Sequence, residues 1–199
     1  MYRVEFRVER PLFADSEEHV VPIHGRILEL EDEQEVGDFS AYVYDVRRAD
    51  HDGANLLNEA DALNADALEY YDAVFDHSGM IRGSVARLTG QDDVFPHNLL
   101  ALHTVTVLPA HRGKGLGHAC AQRIIDAYGM GCSIAVLRPK PLREDEDGPN
   151  DEQLPEPSPT GLAKLRNYWG KMGFKRIGRS EFYVRSLTLN HERFLLSDY

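Results

Sequence analysis

Cysteine is scarce: only Cys120 and Cys132 occur in 199 residues. Their spacing excludes a zinc ribbon or a disulfide-framed secreted module and favours a reducing compartment. Basic charge is short as well, with 22 Lys and Arg against 33 Asp and Glu and a net charge of −11. Such a chain lacks the cations that neutralise phosphates along DNA or RNA, so nucleic acid is not expected as its main partner. No run approaches the roughly 20 apolar residues of a membrane span. The opening MYRVEFRVERPLF alternates charged with apolar residues instead of placing a basic end before an apolar segment, so neither export nor membrane insertion is expected and the cytoplasm is the expected location.

Hydrophobic residues make up 42% of the chain, enough for a packed core, and the length suits a single domain over 1–199. Val4, Phe6 and Val8 alternate with Arg3, Glu5 and Arg7, the period of a half-buried strand. Leu28 and Leu30 lead through the acidic stretch 32–35 and Gly37 into 39–46, where Tyr42, Tyr44 and Val46 share a face; this reads as a hairpin. Leu56, Ala60, Leu63, Ala67, Tyr70 and Val74 recur every three or four residues behind Asp52 and Asn55, which predicts one long amphipathic helix with a cap at its start. Glycines 79, 83 and 90 punctuate a segment without a clear assignment.

Residues 99–108 form an apolar run closed by Pro109, a buried central strand. A helix is expected over 117–128 with Cys120, Ala121, Ile124, Ile125 and Tyr128 toward the core, and a short buried strand over 132–137. Segment 139–159 carries seven acids against two bases and several prolines, which predicts a loop; a lid that attracts cations is the sharper alternative to a solvated linker. Ser158 and Pro159 suit the start of a helix lined by Leu162, Leu165, Trp169 and Met172 and stopped by Gly173. Two closing strands, 174–177 and 182–187, complete an α/β arrangement: strands and the long helix in 1–98, the central strand, glycine loop and closing elements in 99–187 and a tail in 188–199.

The chemistry concentrates at Arg112-Gly113-Lys114-Gly115-Leu116-Gly117, between the central strand and the next helix. Glycine at 113, 115 and 117 lets backbone amides turn inward, the helix start aims its positive end at the same point, and Arg112 and Lys114 add charge. This is an anion cradle. No Lys-Ser or Lys-Thr follows, as in a P-loop, and position 118 is not Gly, as a dinucleotide fingerprint requires.

The run VLPAHRGKGLG, residues 107–117, resembles the coenzyme A loop of the GCN5-related N-acetyltransferase (GNAT) superfamily, with Arg112, Gly115 and Gly117 on its Arg-x-x-Gly-x-Gly pattern. LRNYWGKMGF, residues 165–174, is similar to the end of that superfamily's last helix. The resemblance covers about 99–187. It implies an α/β (mixed α+β) sheet of GNAT-like acyl-CoA N-acyltransferase type with a splayed central strand pair, and acetyl-CoA as acyl donor without a metal. Backbone groups of Val105 and Val107 would hold the pantetheine arm, the amide near Val107 would polarise the thioester carbonyl, and Arg112, Gly113, Lys114, Gly115, Leu116 and Gly117 would hold the diphosphate. The reaction implied is direct attack by a primary amine of a small molecule, peptide or protein.

Two positions depart from the pattern. Trp169 stands where a tyrosine commonly protonates the leaving thiolate; Tyr168 or Tyr183 would substitute, or the thiolate leaves unassisted, and Tyr168 and Trp169 simply pack as the structural alternative. Ala101 stands near the usual glutamate, leaving His103 as the nearest base, with Glu69 as another candidate; a strand histidine can equally be structural. The stretch GCSIAVLRPKPL, residues 131–142, carries prolines where the superfamily often has an asparagine. His111, His118 and Cys120 lie close in sequence, yet no fourth ligand with metal-site spacing accompanies them. The alternatives are a non-catalytic acyl-CoA binding or sensing domain and a phosphorylated-ligand module outside the superfamily. The acceptor is not legible, and a homodimer is left open.

Overall fold

A computed structural model describes residues 1–8, 18–91, 96–140 and 159–188. The strands are β1 (Tyr2–Val8), β2 (Val20–Glu29), β3 (Glu35–Tyr44), β4 (Leu99–Val107), β5 (Ile134–Leu137), β6 (Lys175–Arg176) and β7 (Tyr183–Ser186). They form one seven-stranded mixed sheet in the order β1-β2-β3-β4-β5-β7-β6. The helices are α1 (Val46–Asp52), α2 (Leu56–Leu63), α3 (Ala65–Val74), α4 (Gly83–Thr89), α5 (Leu116–Tyr128) and α6 (Pro159–Lys171). No helix among the described residues is long and apolar enough to cross a membrane.

Strand alternation divides the core into two layers. Leu99 and Ala101 of β4, with Ile134 and Val136 of β5, join Tyr42, Tyr44, Ala60, Ala67, Tyr70 and Val74 on the face covered by α1–α4. Leu100 and Leu102, with Ala135 and Leu137, join Cys120, Ala121, Ile124, Ile125, Trp169 and Met172 under α5 and α6. A strand covered on both faces must be apolar throughout, which is why these two read as continuous hydrophobic runs. Burial also pushes the Cys120 thiol up to about 12 and the Cys132 thiol up to about 11, so both stay protonated at neutral pH.

The expected long helix is in fact two. Asn64 breaks it with extended backbone, φ −176° and ψ 168°, and its side chain accepts from Ala67 N to cap α3. The same amide donates to Tyr42 Oη at 3.3 Å. An asparagine that satisfies orphan amides at a helix start outweighs continued periodicity. Asn55 caps α2 as expected, while Asp52 ends α1. The hairpin begins at Val20, earlier than the pattern suggested, and Val46 opens α1 instead of extending β3. Helix α4 occupies the unassigned segment. Residues 141–158 of the acidic stretch, with Ser158, and the tail from 189 lie outside the described residues.

His19 fastens the helical layer to the sheet. Its Nδ1 lies 2.8 Å from Glu59 Oε1 and its Nε2 3.0 Å from Asp52 Oδ2, while its backbone N–H donates to Glu59 Oε2. The ring is buried. Burial opposes the charge, but the two carboxylates outweigh it and raise the His19 pKa. Only an imidazolium donates from both ring nitrogens.

Candidate active site

Strand β4 pairs with β5 only from Leu99↔Ile134 to Leu102↔Leu137. On its other side it stays paired with β3 as far as Val107↔Gly37. Among the described residues nothing pairs with that edge of residues 103–107, a length of about 17 Å at the usual strand rise. This is the splay that the fold class implied. Leu108 N donates to Val36 O at 2.9 Å. Because alternate residues of an antiparallel strand turn their N–H and C=O toward the partner, that bond assigns 104, 106 and 108 to β3 and turns Val105 and Val107 toward the opening. Arg112 Nε donates to the Val107 carbonyl at 2.9 Å.

His103 stands at the apex. It follows Leu102, the last residue paired with β5, and it is the extra residue of a bulge, since Ser40 pairs with Thr104 and Ala41 with Leu102. Bulges re-aim side chains, often beside active sites. The imidazole turns to the α1–α4 face: Nδ1 lies 3.4 Å from Tyr70 Oη and Nε2 3.6 Å from Asp66 Oδ2. Its ring meets Tyr42 at 5.7 Å and Tyr70 at 5.9 Å. Burial lowers its pKa, with Asp66 pulling the other way, so the ring is neutral at pH 7. Tyr70, itself pushed well above the ordinary phenol range by burial, also donates to Leu102 O.

Beyond the open edge, a 3-10 turn at Pro109–His111 delivers the chain to the glycine loop. Gly113 has φ 78° and Gly115 φ 74°, backbone that residues with a Cβ rarely adopt. Gly115 is also the N-cap of α5, and among the described residues no side chain caps that end. A helix start without a side-chain cap suits an outside acceptor such as a phosphate. A Cβ on Gly113 would meet nothing within 4 Å, and one on Gly117 would come within 2.5 Å of Tyr168 Oη. These residues fit a diphosphate: turned amides, a helix start and the side chains of Arg112 and Lys114.

The two expected proton-transfer residues are on opposite faces of the sheet. Tyr168 packs in the α5–α6 layer, its hydroxyl over Gly117 and its ring stacked 3.5 Å from His118. His118 Nε2 donates to the Tyr168 carbonyl at 2.9 Å, and burial lowers its pKa. Trp169 is buried against Tyr168 and Phe174. Tyr183 is buried in β7 opposite Leu137. Glu69 takes Arg138 Nη1 at 2.5 Å, and Arg138 also binds Glu181 through Nε at 2.8 Å. Among the described residues no group of three or more His, Cys, Asp or Glu is placed to hold a metal. Sequence reasoning passed over Tyr42, Asp66 and Tyr70 as partners of His103. Tyr42 offered only strand alternation and Tyr70 only helical spacing, which mark a core face and nothing about chemistry, and Asp66 read only as an acid in a helix's first turn.

A sequence model described as the Acetyltransferase (GNAT) family matches residues 26–139, more than half of the chain. No curated protein matches. Among solved structures, a GNAT-family acetyltransferase from Staphylococcus aureus Mu50 is similar at 11% identity, over 83% of this chain and 68% of that one, with TM-score 0.38. Arabidopsis thaliana NAA60 in complex with a bisubstrate analogue is similar at 12% identity, over 93% and 99%, with TM-score 0.42. Drosophila melanogaster polyamine N-acetyltransferase follows at 16% identity, over 82% and 74%, with TM-score 0.38. At such scores the weight falls on the sequence match, which runs from within β2 to just beyond β5 and stops short of α6 and Tyr168. It includes the splayed strand and the glycine loop, and on that ground the chain belongs to the GNAT acetyltransferase family.

Proposed function

We propose that the protein is an N-acetyltransferase that moves an acetyl group from acetyl-CoA to a primary amine. One observation carries the reading: β4 outruns β5 and leads, with outward-turned backbone at Val105 and Val107, straight into a glycine loop on a helix start that no side chain among the described residues caps. When bound, acetyl-CoA supplies an activated thioester and a thiol leaving group. Amides of the loop, with Arg112 and Lys114, hold the diphosphate; Val105 and Val107 hold the pantetheine arm. The Val107 N–H stabilises the oxygen on which charge develops.

His103 takes a proton from the acceptor ammonium, directly or through water. A neutral imidazole at the strand apex suits that task, and Asp66 stabilises the imidazolium that forms. The amine nitrogen forms its bond to the acyl carbon as the carbon–sulfur bond breaks. Tyr168 is the proposed proton donor to the departing thiolate, so that the sum is amide, free thiol and one proton released to solvent.

Calorimetry with coenzyme A, followed by thiol release across a panel of amines, tests the reading. Binding together with turnover on at least one amine supports it. Binding with no turnover on any acceptor moves the protein to the sensing alternative, and no binding at all removes both.

A further inference from the structure

The two cations of the glycine loop are held in different ways. Arg112 folds back on the strand it follows, with Nε on the Val107 carbonyl. Lys114 is held from across the sheet: its Nζ donates to Tyr2 Oη at 3.1 Å and lies 5.8 Å from the centre of the Tyr2 ring. Tyr2 belongs to β1, the edge strand three positions away from β4. Its hydroxyl also lies 3.3 Å from His111 Nδ1, in the turn that precedes the loop, and the two rings meet edge to face at 6.1 Å.

The donor order is determined by chemistry. An ammonium only donates, so the Tyr2 oxygen accepts from Lys114 and its own proton is left for His111 Nδ1. Glu29 Oε2 stands 4.0 Å from that same nitrogen. Tyr2 is itself well anchored, paired with Glu29 in β2 and packed on the α5–α6 core layer. The bond to Tyr2 is the largest influence on Lys114 and raises its pKa, keeping it charged. For a long flexible side chain on an exposed loop, such a tether chiefly removes rotamer freedom ahead of binding.

We infer that Tyr2 is a positioning residue for the glycine loop: its hydroxyl holds the Lys114 ammonium at the cradle before the diphosphate of coenzyme A arrives. The inference rests on reading that loop as the coenzyme A site. It makes the edge strand, remote from the loop in sequence, a determinant of cofactor affinity.

The test is a double-mutant cycle by calorimetry with coenzyme A on the full chain: wild type, Tyr2→Phe, Lys114→Ala and the pair. Tyr2→Phe keeps the ring and should bind about two- to tenfold more weakly, the effect of one hydrogen bond. In the Lys114→Ala background the same change should do nothing, because the effect passes through Lys114. In turnover, the KM for acetyl-CoA should rise with kcat unchanged. Equal weakening in both backgrounds, or unchanged affinity of Tyr2→Phe, overturns the inference. Wild-type protein that binds no coenzyme A sinks the loop reading instead, a separate result.

Discussion

The two halves of β4 differ although the sequence runs through them without a break. Residues 99–102 are paired on both edges and buried on both faces, a stability element. Residues 103–107 keep β3 on one edge and lose β5 on the other, and they carry the polar side chains of His103, Thr104 and Thr106. Backbone hydrogen bonds left unmade by the sheet are what a site can use, and the apolar half keeps them in place. Stability and the proposed function occupy adjacent segments of one strand.

Substitutions should separate the halves. Gly115→Glu, which adds a carboxylate and a Cβ at φ 74°, should abolish coenzyme A binding by calorimetry while circular dichroism shows the fold intact; retained affinity counts directly against the site. Leu100→Ala in the paired half should lower stability by about 2–5 kcal/mol in denaturant unfolding, leaving coenzyme A affinity unchanged under folded conditions. His103→Gln in the open half should reduce kcat about a hundredfold, the low end of general-base effects, with little change in melting temperature. Since burial holds the His103 pKa below its ordinary value, wild-type kcat/KM should fall only on the acid side of neutrality. That limb should be missing from the variant, and an unaltered profile removes His103 as the base.

The smallest expected effect lies away from β4. His19 has a raised pKa in the fold, so its contribution is complete below the unfolded histidine value of about 6.5 and is lost as pH rises through the folded value. Unfolding free energy should decline over that interval by about 1–3 kcal/mol, the worth of a hydrogen bond to a charged group. In His19→Gln the decline should vanish; a decline of the same size there assigns it to another group.

The glycine loop, β4 and α5 were legible because each depends on local chemistry: turned amides at Gly113 and Gly115, a doubly buried apolar run, a helical stripe through Cys120 and Ile124. The break at Asn64 was legible in principle, since Asn64 followed by Asp66 in the first turn is a helix start. Periodicity on both sides concealed it. Helices α1 and α4, seven residues each, are too short to show a period. The surroundings of His103 were not legible, because Asp66 and Tyr70 reach it only through the packing of α3 on the sheet.

By itself the sequence determined the glycine loop, the strand that feeds it and the family, because glycine conformation, charge and apolar period act over a few residues. Tertiary structure alone decided where β5 lets go of β4, which groups face His103, and that Tyr2 reaches Lys114. Those contacts join residues as far as 112 positions apart, and no local pattern encodes which distant side chain a folded sheet brings near.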